Sequence, residues 1–519
     1  MDDATAAKLQ SQRPWWSKQH GACPACVQQA LLTILLERGA SVLGRVVQDA
    51  WPLDAESAFG ALPTPLRMRA DPRFTGTGVT IAVIDAAFYP HDDLVRPVNR
   101  IRAWVDASDD TLPARHFTDT VIPCWPGSAA RTPAQWHGLM TSATLAGNGW
   151  RSHGLYRGLA PDASLILVQV QGADGRIGST RLLRALEWIL SHREALDIGV
   201  VNVSLGVGLD VPEHGVRIDA VIAELVAADV SVVVASGNDG ERSLAAPATA
   251  PSAITVGGLD DGNAIDAASR ELWHSNYGDA SDGRAKPELV APSIWIVAPI
   301  IPGSALADEA WALFERRGAG DASVERRIAE MRLVTPHYQH VEGTSFASPI
   351  VSGVVACMRE AHPALTAERV CPLLEGACDH VSGATRERQG AGAIDAGRAV
   401  ASALALAGGF TTVPSSTREA DSASPDSAST DARATDFRLH DARARSVHLV
   451  GSWDGWRTPG VMASMERPGV WRVSVGALMT GVHHYKFLLD ESRWLADPCN
   501  HERASDGHGG WNSVLHVSH

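Results

Sequence analysis

Apolar and polar positions along the chain fall into distinct textures. Residues 79–85 (VTIAVID) form an unbroken apolar, β-branched run that ends on a carboxylate, which predicts a buried parallel strand. Residues 164–170, 198–205 and 230–235 read the same way, and residues 180–192 and 216–228 between them carry a helical period. Strands and helices of this length, alternating, predict βαβ units. The fold class is therefore α/β, with a doubly wound, mostly parallel sheet flanked by helices. In such sheets the ligand crevice lies beyond the carboxyl ends of the strands. From residue 409 to 436 Ser, Thr, Ala and Asp dominate, with almost no large apolar residues past Phe410. That composition predicts a disordered linker, spanning roughly 30 Å as a coil. Beyond it the period becomes two: residues 447–450, 469–475 and 483–489 alternate between turns, predicting a small all-β, immunoglobulin-like sandwich. The boundaries are a helical extension at 1–61, the α/β domain at 62–408, the linker at 409–436 and the β domain at 437–519.

Composition narrows the function classes. The chain has 519 residues, 45% hydrophobic and 20% charged, as expected of a globular protein with a sizeable core. A formal net charge of −14 and the lack of a basic stripe disfavour a nucleic-acid partner. The apolar piece at 30–36 is short and flanked by Gln28, Gln29, Glu37 and Arg38, so it predicts an amphipathic helix and no membrane span. With no signal sequence at the start and seven cysteines, an odd number without a framework, the expectation is a cytoplasmic protein, secretion being the alternative. Cys23-Pro-Ala-Cys26 reads first as two thiols on a short helix, with half a zinc site or a redox pair as competing readings.

Candidate chemistry centres on residues 341–349 (VEGTSFASP). Gly343-Thr-Ser345 leads into an apolar, small-residue run to Met358 that predicts a buried helix, with Ser345 at its first turn. Unpaired N–H groups and the positive end of the helix dipole favour a developing oxyanion there. Pro349 inside the run removes a donor and predicts a kink. Asp85 ends the first strand, His137 heads a second small-residue helical run, and Asn238 follows the strand at 230–235. A serine, a histidine and an aspartate at element ends form a nucleophile, a base and its orienter. The order Asp, His, Ser is that of subtilisin.

On these residues, residues 62–405 resemble the subtilisin-like serine peptidases (subtilases). Further similarities are Gly158-Leu-Ala-Pro161, Val201-Asn-Val-Ser-Leu-Gly206 and Lys286-Pro-Glu-Leu-Val-Ala-Pro292. The resemblance implies a serine endopeptidase acting on proteins or peptides, with Asp85, His137 and Ser345 catalytic. It also implies an oxyanion donor at Asn238, worth on the order of 3–4 kcal/mol of barrier. Ser204, Leu205 and Gly206, with Ala235, Ser236 and Gly237, would line the cleft and pair with an extended peptide. Two positions depart from the family: Ala86-Ala87 stand where Ser or Thr and then Gly usually follow the Asp, and Leu139 replaces a usual Thr. No cofactor is required. Residues 140–156 contain no Asp or Glu, which argues against a calcium loop there, and calcium elsewhere stays open. The cluster His91-Asp92-Asp93 reads as a loop and not as a metal site, residues 95–135 as a surface loop beside the cleft, and residues 303–332 as a charged helical insertion, a solvated surface helix first and a lid as the alternative.

Residues 446–517 resemble the early-set, glycogen-binding domains of starch-branching enzymes and of AMP-activated kinase β subunits. The resemblance implies a carbohydrate site at Trp456, Lys486, Trp494 and Asn512, with indoles stacking on sugar rings while Lys and Asn bond hydroxyls. Trp471 reads as core. An α-glucan is then the second expected partner, with protein binding as the alternative. A catalytically inert binding protein and a thiol-regulated protease are the competing function classes.

Overall fold

A computed structural model describes residues 3–12, 24–38, 61–123, 131–265, 267–317, 321–407, 435–440, 444–467, 470–476, 478, 481–490, 493–497, 500, 503–505 and 511–517. Cys23, the Cys26 side chain, Cys124 and residues 409–434 of the linker expected at 409–436 lie outside the described residues, while Thr435 and Asp436 begin a strand. The chain divides into two compact units, Met1–Val413 and Pro414–His519.

The first unit is built on an eleven-stranded sheet. Its centre consists of β1 (Thr80–Asp85), β2 (Ile101–Asp106), β3 (Ala114–His116), β4 (Ser164–Gln169), β5 (Ile198–Val203), β6 (Ser231–Ala235) and β7 (Ile254–Asp260). They lie in the order β7-β6-β5-β1-β4-β2-β3, with Leu289–Pro292 continuing beyond β7. β1 pairs in parallel with β4 on one side and β5 on the other, Asp85 opposite Gln169. The chain winds first to one side of β1 and then to the other, so the carboxyl end of β1 is a topological switch point. The strands are apolar throughout because both faces are covered. One apolar layer gathers Ile81, Val83, Phe88, Trp104, Leu139, Ile350 and Val354, and the opposite layer Ala82, Ile84, Val168, Leu186, Val203 and Ile222. Helix Thr344–Ala361 runs through the first layer, with Phe346 to Met358 buried. The helix is assigned without interruption through Pro349.

Two expectations are corrected here. Residues 95–135 are not a plain surface loop: Ile101–Asp106 is an inner strand beside β4, and Ala114–His116 is the edge strand against it. The run Ile-Arg-Ala-Trp-Val-Asp carries the strand signal, which the surrounding prolines and charges obscure. Helix Pro24–Arg38 is not amphipathic in the simple sense, since Val27, Gln28, Ala30, Leu31, Leu32 and Ile34 are all buried. It shares an apolar cluster with Ala6 and Leu9 of helix Asp3–Gln12 and with Leu62, Leu66 and Ile265. Gln28 donates to the carbonyl of Leu155 (2.8 Å) and accepts from Arg157 (3.0 Å), so the extension is docked on the domain.

The second unit contains a three-stranded sheet (Thr435–His440, Val470–Val475, Ser464–Arg467) and a six-stranded sheet centred on Val447–Gly451, Gly481–Leu489 and Trp511–Val517. Phe437, Leu439, Val447, Leu449, Trp471, Tyr485 and Phe487 share one core, with Trp471 inside as its alternating position requires.

Arg67 ties the start of the domain to the region near the cleft. Its guanidinium bonds both oxygens of Asp261 (2.8 and 2.7 Å) and the carbonyls of Ile294 (2.8 Å) and Trp295 (2.6 Å). Both partners are buried. Removing one member of such a pair leaves the other charge stranded. Arg67→Met is therefore expected to lower stability by about 3–5 kcal/mol, read as an earlier denaturation midpoint.

Candidate active site

Ser345 lies in the first turn of helix Thr344–Ala361, where the sequence places it. The chain enters through Gly343 at φ 137°, a conformation that a side chain disfavours. Asn238 holds this entry from the other side. Its Oδ1 accepts from the Thr344 N–H (2.9 Å) and from the Thr344 hydroxyl (2.8 Å). Two donors on the oxygen fix which way the amide faces and leave its NH₂ for another acceptor. Asn238 and Ser345 line one cleft of about 410 Å³ together with His137.

Asp85 is fully buried at the end of β1. Its Oδ1 lies 2.7 Å from His137 Nδ1 and accepts the Ala86 N–H at 2.6 Å. Its Oδ2 accepts the Thr141 hydroxyl at 2.7 Å. Burial works to lower the pKa of His137, but the charge and hydrogen bond of Asp85 outweigh it and hold the imidazole above its ordinary value. The His137 and Thr141 side chains both come from helix Pro133–Ala146, which starts on a Thr132/Gln135 capping box. Gly138 permits its approach, since a Cβ there would meet the Ala87 carbonyl oxygen at 1.9 Å. Thr141 escapes the sequence reading, although its i+4 spacing from His137 on a helix is a signal for one shared face. Ala86, one of the two departures, contributes its backbone and no hydroxyl.

The Ser345 hydroxyl donates to the carbonyl of Ser204 (3.0 Å), and no His137–Ser345 hydrogen bond forms among the described residues. Beneath it lies a buried polar chain. Asn202 donates to the Ser204 hydroxyl (2.8 Å), that hydroxyl contacts Ser348 (3.2 Å), and Ser352 donates to Asn202 (3.0 Å). This chain joins β5 to the serine helix. Of the expected cleft walls, Ser204 is buried and Leu205 half-buried, while Gly206 is exposed. Ala235 and Ser236 are buried, and the Gly237 N–H donates to the Thr344 hydroxyl (3.1 Å). These segments contribute backbone to the site rather than projecting side chains.

The insertion departs from the first of its two expected readings. Helices Ala305–Arg316 and Ala322–Glu330 form their own apolar cluster from Ile300, Ala310, Leu313, Val324, Ile328 and Leu333. They are not only a solvated surface feature, because Glu330, Met331 and Arg332 line the same cleft as Ser345. The far wall is strand Tyr338–Val341, which pairs with Ile296–Pro299. Arg332 pairs with Glu342 across the rim (2.9 Å). Burial and Arg332 press the pKa of His340, also in this wall, down to about 4, so it is neutral at pH 7.

His91 caps the short helix Asp92–Val95 by accepting the Asp93 N–H, and the buried Asp93 carboxylate accepts the Tyr338 hydroxyl (2.8 and 3.0 Å). Both have structural partners. Among the described residues no group of three or more His, Cys, Asp or Glu is arranged to hold a metal ion, and no helix is long and apolar enough to cross a membrane. Cys371 and Cys378 are separate free thiols, each pushed up to about 12 by burial.

In the second unit the register sorts the expected sugar contacts. Tyr485, Phe487 and Leu489 point to the core, so Lys486 and Leu488 take the other face of Gly481–Leu489. Trp494 pairs with Leu488 and is 45% exposed. Tyr485 pairs with Ser513, whose side chain faces inward, and Asn512 beside it falls on the face of Lys486. Lys486, Trp494 and Asn512 thus share one sheet face. Trp456 sits at φ 61° in the turn after Val447–Gly451, half-buried.

Comparison with known proteins agrees with this geometry. Residues 76–392 match the profile of the subtilase family, and residues 434–519 that of the glycogen recognition site of AMP-activated protein kinase. The chain is 29% identical to serine protease AprX of Bacillus subtilis, over 63% of this chain and 67% of AprX. It is 27% identical to subtilisin BL of Lederbergia lenta, over 56% of this chain and 79% of that protein. It is also 27% identical to Mycosin-1 of Mycobacterium tuberculosis, over 62% of this chain and 68% of that one. Asp85, His137, Asn238 and Ser345 all fall inside the matched span, which covers more than half of the chain. The chain belongs to the subtilase family, as a subtilisin-like serine endopeptidase carrying a C-terminal domain of the glycogen-recognition type.

Proposed function

We propose that Asp85, His137 and Ser345 hydrolyse peptide bonds through an acyl-enzyme, and that the C-terminal domain brings this activity to an α-glucan or a glucan-bound protein. The observation that carries the first part is the 2.7 Å contact of His137 Nδ1 with a buried carboxylate, in a cleft shared with a serine at a helix N-terminus. Asp85 fixes the tautomer, so that Nε2 faces the cleft as the base. A χ1 rotation moves the Ser345 hydroxyl from the Ser204 carbonyl to that nitrogen when substrate arrives, as catalytic hydrogen bonds often tighten only in the complex. The proton passes to His137, Ser345 Oγ bonds the carbonyl carbon, and the oxyanion meets the Asn238 NH₂ and the Ser345 N–H. His137 then protonates the leaving amine, and water repeats the sequence on the ester. The targeting role is supported by the shared face of Lys486, Trp494 and Asn512 and by the family match of residues 434–519.

Ser345→Ala is expected to abolish both peptide hydrolysis and labelling by a fluorophosphonate. Asn238→Ala should keep the label but lose about 10²–10³-fold in kcat. A wild-type protein that takes no label would leave the inert binding protein as the better reading.

Because protonated His137 cannot accept the serine proton, kcat/KM should rise with pH through the imidazole pKa. The raised pKa puts that midpoint above the ordinary value of about 6.5. A midpoint at or below 6.5 would contradict the dominance of Asp85 over burial.

Retention on glycogen beads should fall several-fold in Trp456→Ala/Trp494→Ala while peptide hydrolysis is unchanged. Failure of the wild-type chain to be retained would remove the targeting role and leave the peptidase reading intact.

A further inference from the structure

The buried Asp85 carboxylate is bonded through both oxygens, and only one of them faces the imidazole. Among the described residues no lysine or arginine forms an ion pair with Asp85. Its charge is held by the Ala86 N–H, by His137 and, at Oδ2, by the Thr141 hydroxyl. Thr141 is fully buried and follows His137 by four residues, so both side chains reach the end of β1 from one helix face. The hydroxyl also lies 3.2 Å from the Gly138 carbonyl. A hydroxyl has a single hydrogen, and the nearer, charged acceptor at 2.7 Å takes it.

We propose that Thr141 is a positioning residue of the catalytic pair, its hydroxyl setting the rotation of the Asp85 carboxylate so that Oδ1 is presented to His137. This rests on the peptidase reading above. The terminal torsion of an aspartate is broad, so the backbone alone does not fix it. The Ala86 N–H and Thr141 hold opposite oxygens and define the plane between them. Without the hydroxyl, Oδ2 is a buried acceptor lacking a partner, and the carboxylate turns or concentrates its charge on the remaining donors. Turning is the response that the broad torsion allows, and it takes Oδ1 from the imidazole, whose pKa then falls because the charge and hydrogen bond of Asp85 hold it up. The other titratable or charged groups lining the cleft with His137 are Glu330, Arg332, His340 and Glu342. They are the same in every variant compared, so a difference in pH profile reports on the pair.

The test compares Thr141→Val, which keeps shape and loses the hydroxyl, with Thr141→Ser, which keeps the hydroxyl. Rates are normalised to active sites titrated with a fluorophosphonate, so misfolded molecules drop out of the comparison. Thr141→Val is expected to lose about 10–100-fold in kcat, the scale of a hydrogen bond to a charged group. KM should change little, and the acid limb of kcat/KM should move to lower pH. Thr141→Ser should recover kcat to within about threefold of wild type, with the acid limb restored. Should Thr141→Val yield no titratable sites, Thr141→Ala takes its place with the same expected outcomes. Unchanged kcat and acid limb in the hydroxyl-free variant, or equal losses in the Val and Ser variants, would overturn the positioning role. A wild-type enzyme with neither label nor activity would instead overturn the peptidase reading on which it rests.

Discussion

A carboxylate taken wholly out of water, with no ion pair to lysine or arginine among the described residues, is the constraint on which the site depends. Charge in such surroundings is tolerated only where donors surround it. Here they come from three places: the backbone just past β1, and two turns of helix Pro133–Ala146. The sheet order puts that strand end at a switch point, and Gly138 lets the helix come close enough to supply its donors. The raised pKa of His137 is the other half of the same balance, since the imidazole carries what compensation a formal cation can give.

Ser345 is held by a second, separate set of bonds. Asn238 grips Thr344 twice, Gly343 supplies a backbone turn that few residues adopt, and the Asn202–Ser204–Ser348–Ser352 chain fastens β5 to the same helix. Buried polar chains of this kind specify one arrangement when every member is satisfied. Ser345 is thus carried on a rigid helix while its own hydroxyl rests on a carbonyl that it can leave.

Much of this could be read from the chain. The strands at 79–85, 164–170, 198–205 and 230–235 and the helix bearing Ser345 emerge within a few residues, because long apolar runs with distinct periods leave few alternatives. The positions of Asp85 and Asn238 follow from the rule that crevices lie off strand ends. What escaped is what depends on tertiary neighbours. Ile101–Asp106 hides among prolines and charges, helix Pro24–Arg38 is buried on more than one face only because of what packs on it, and Thr141 reads as one more small helical residue until Asp85 is placed beside it. The insertion misled for a related reason: its charged exterior says nothing of where its last turn ends.

That last turn has a broader implication. Because the insertion keeps an apolar cluster of its own, its stability is largely decoupled from that of the sheet beneath. Residues 330 and 331 line the cleft from this insertion, and neither bonds Asp85 or the helix that bears Ser345 among the described residues. Such separation gives natural drift, or a protein engineer, one wall of the cleft whose side chains are adjustable apart from the strand end that holds Asp85.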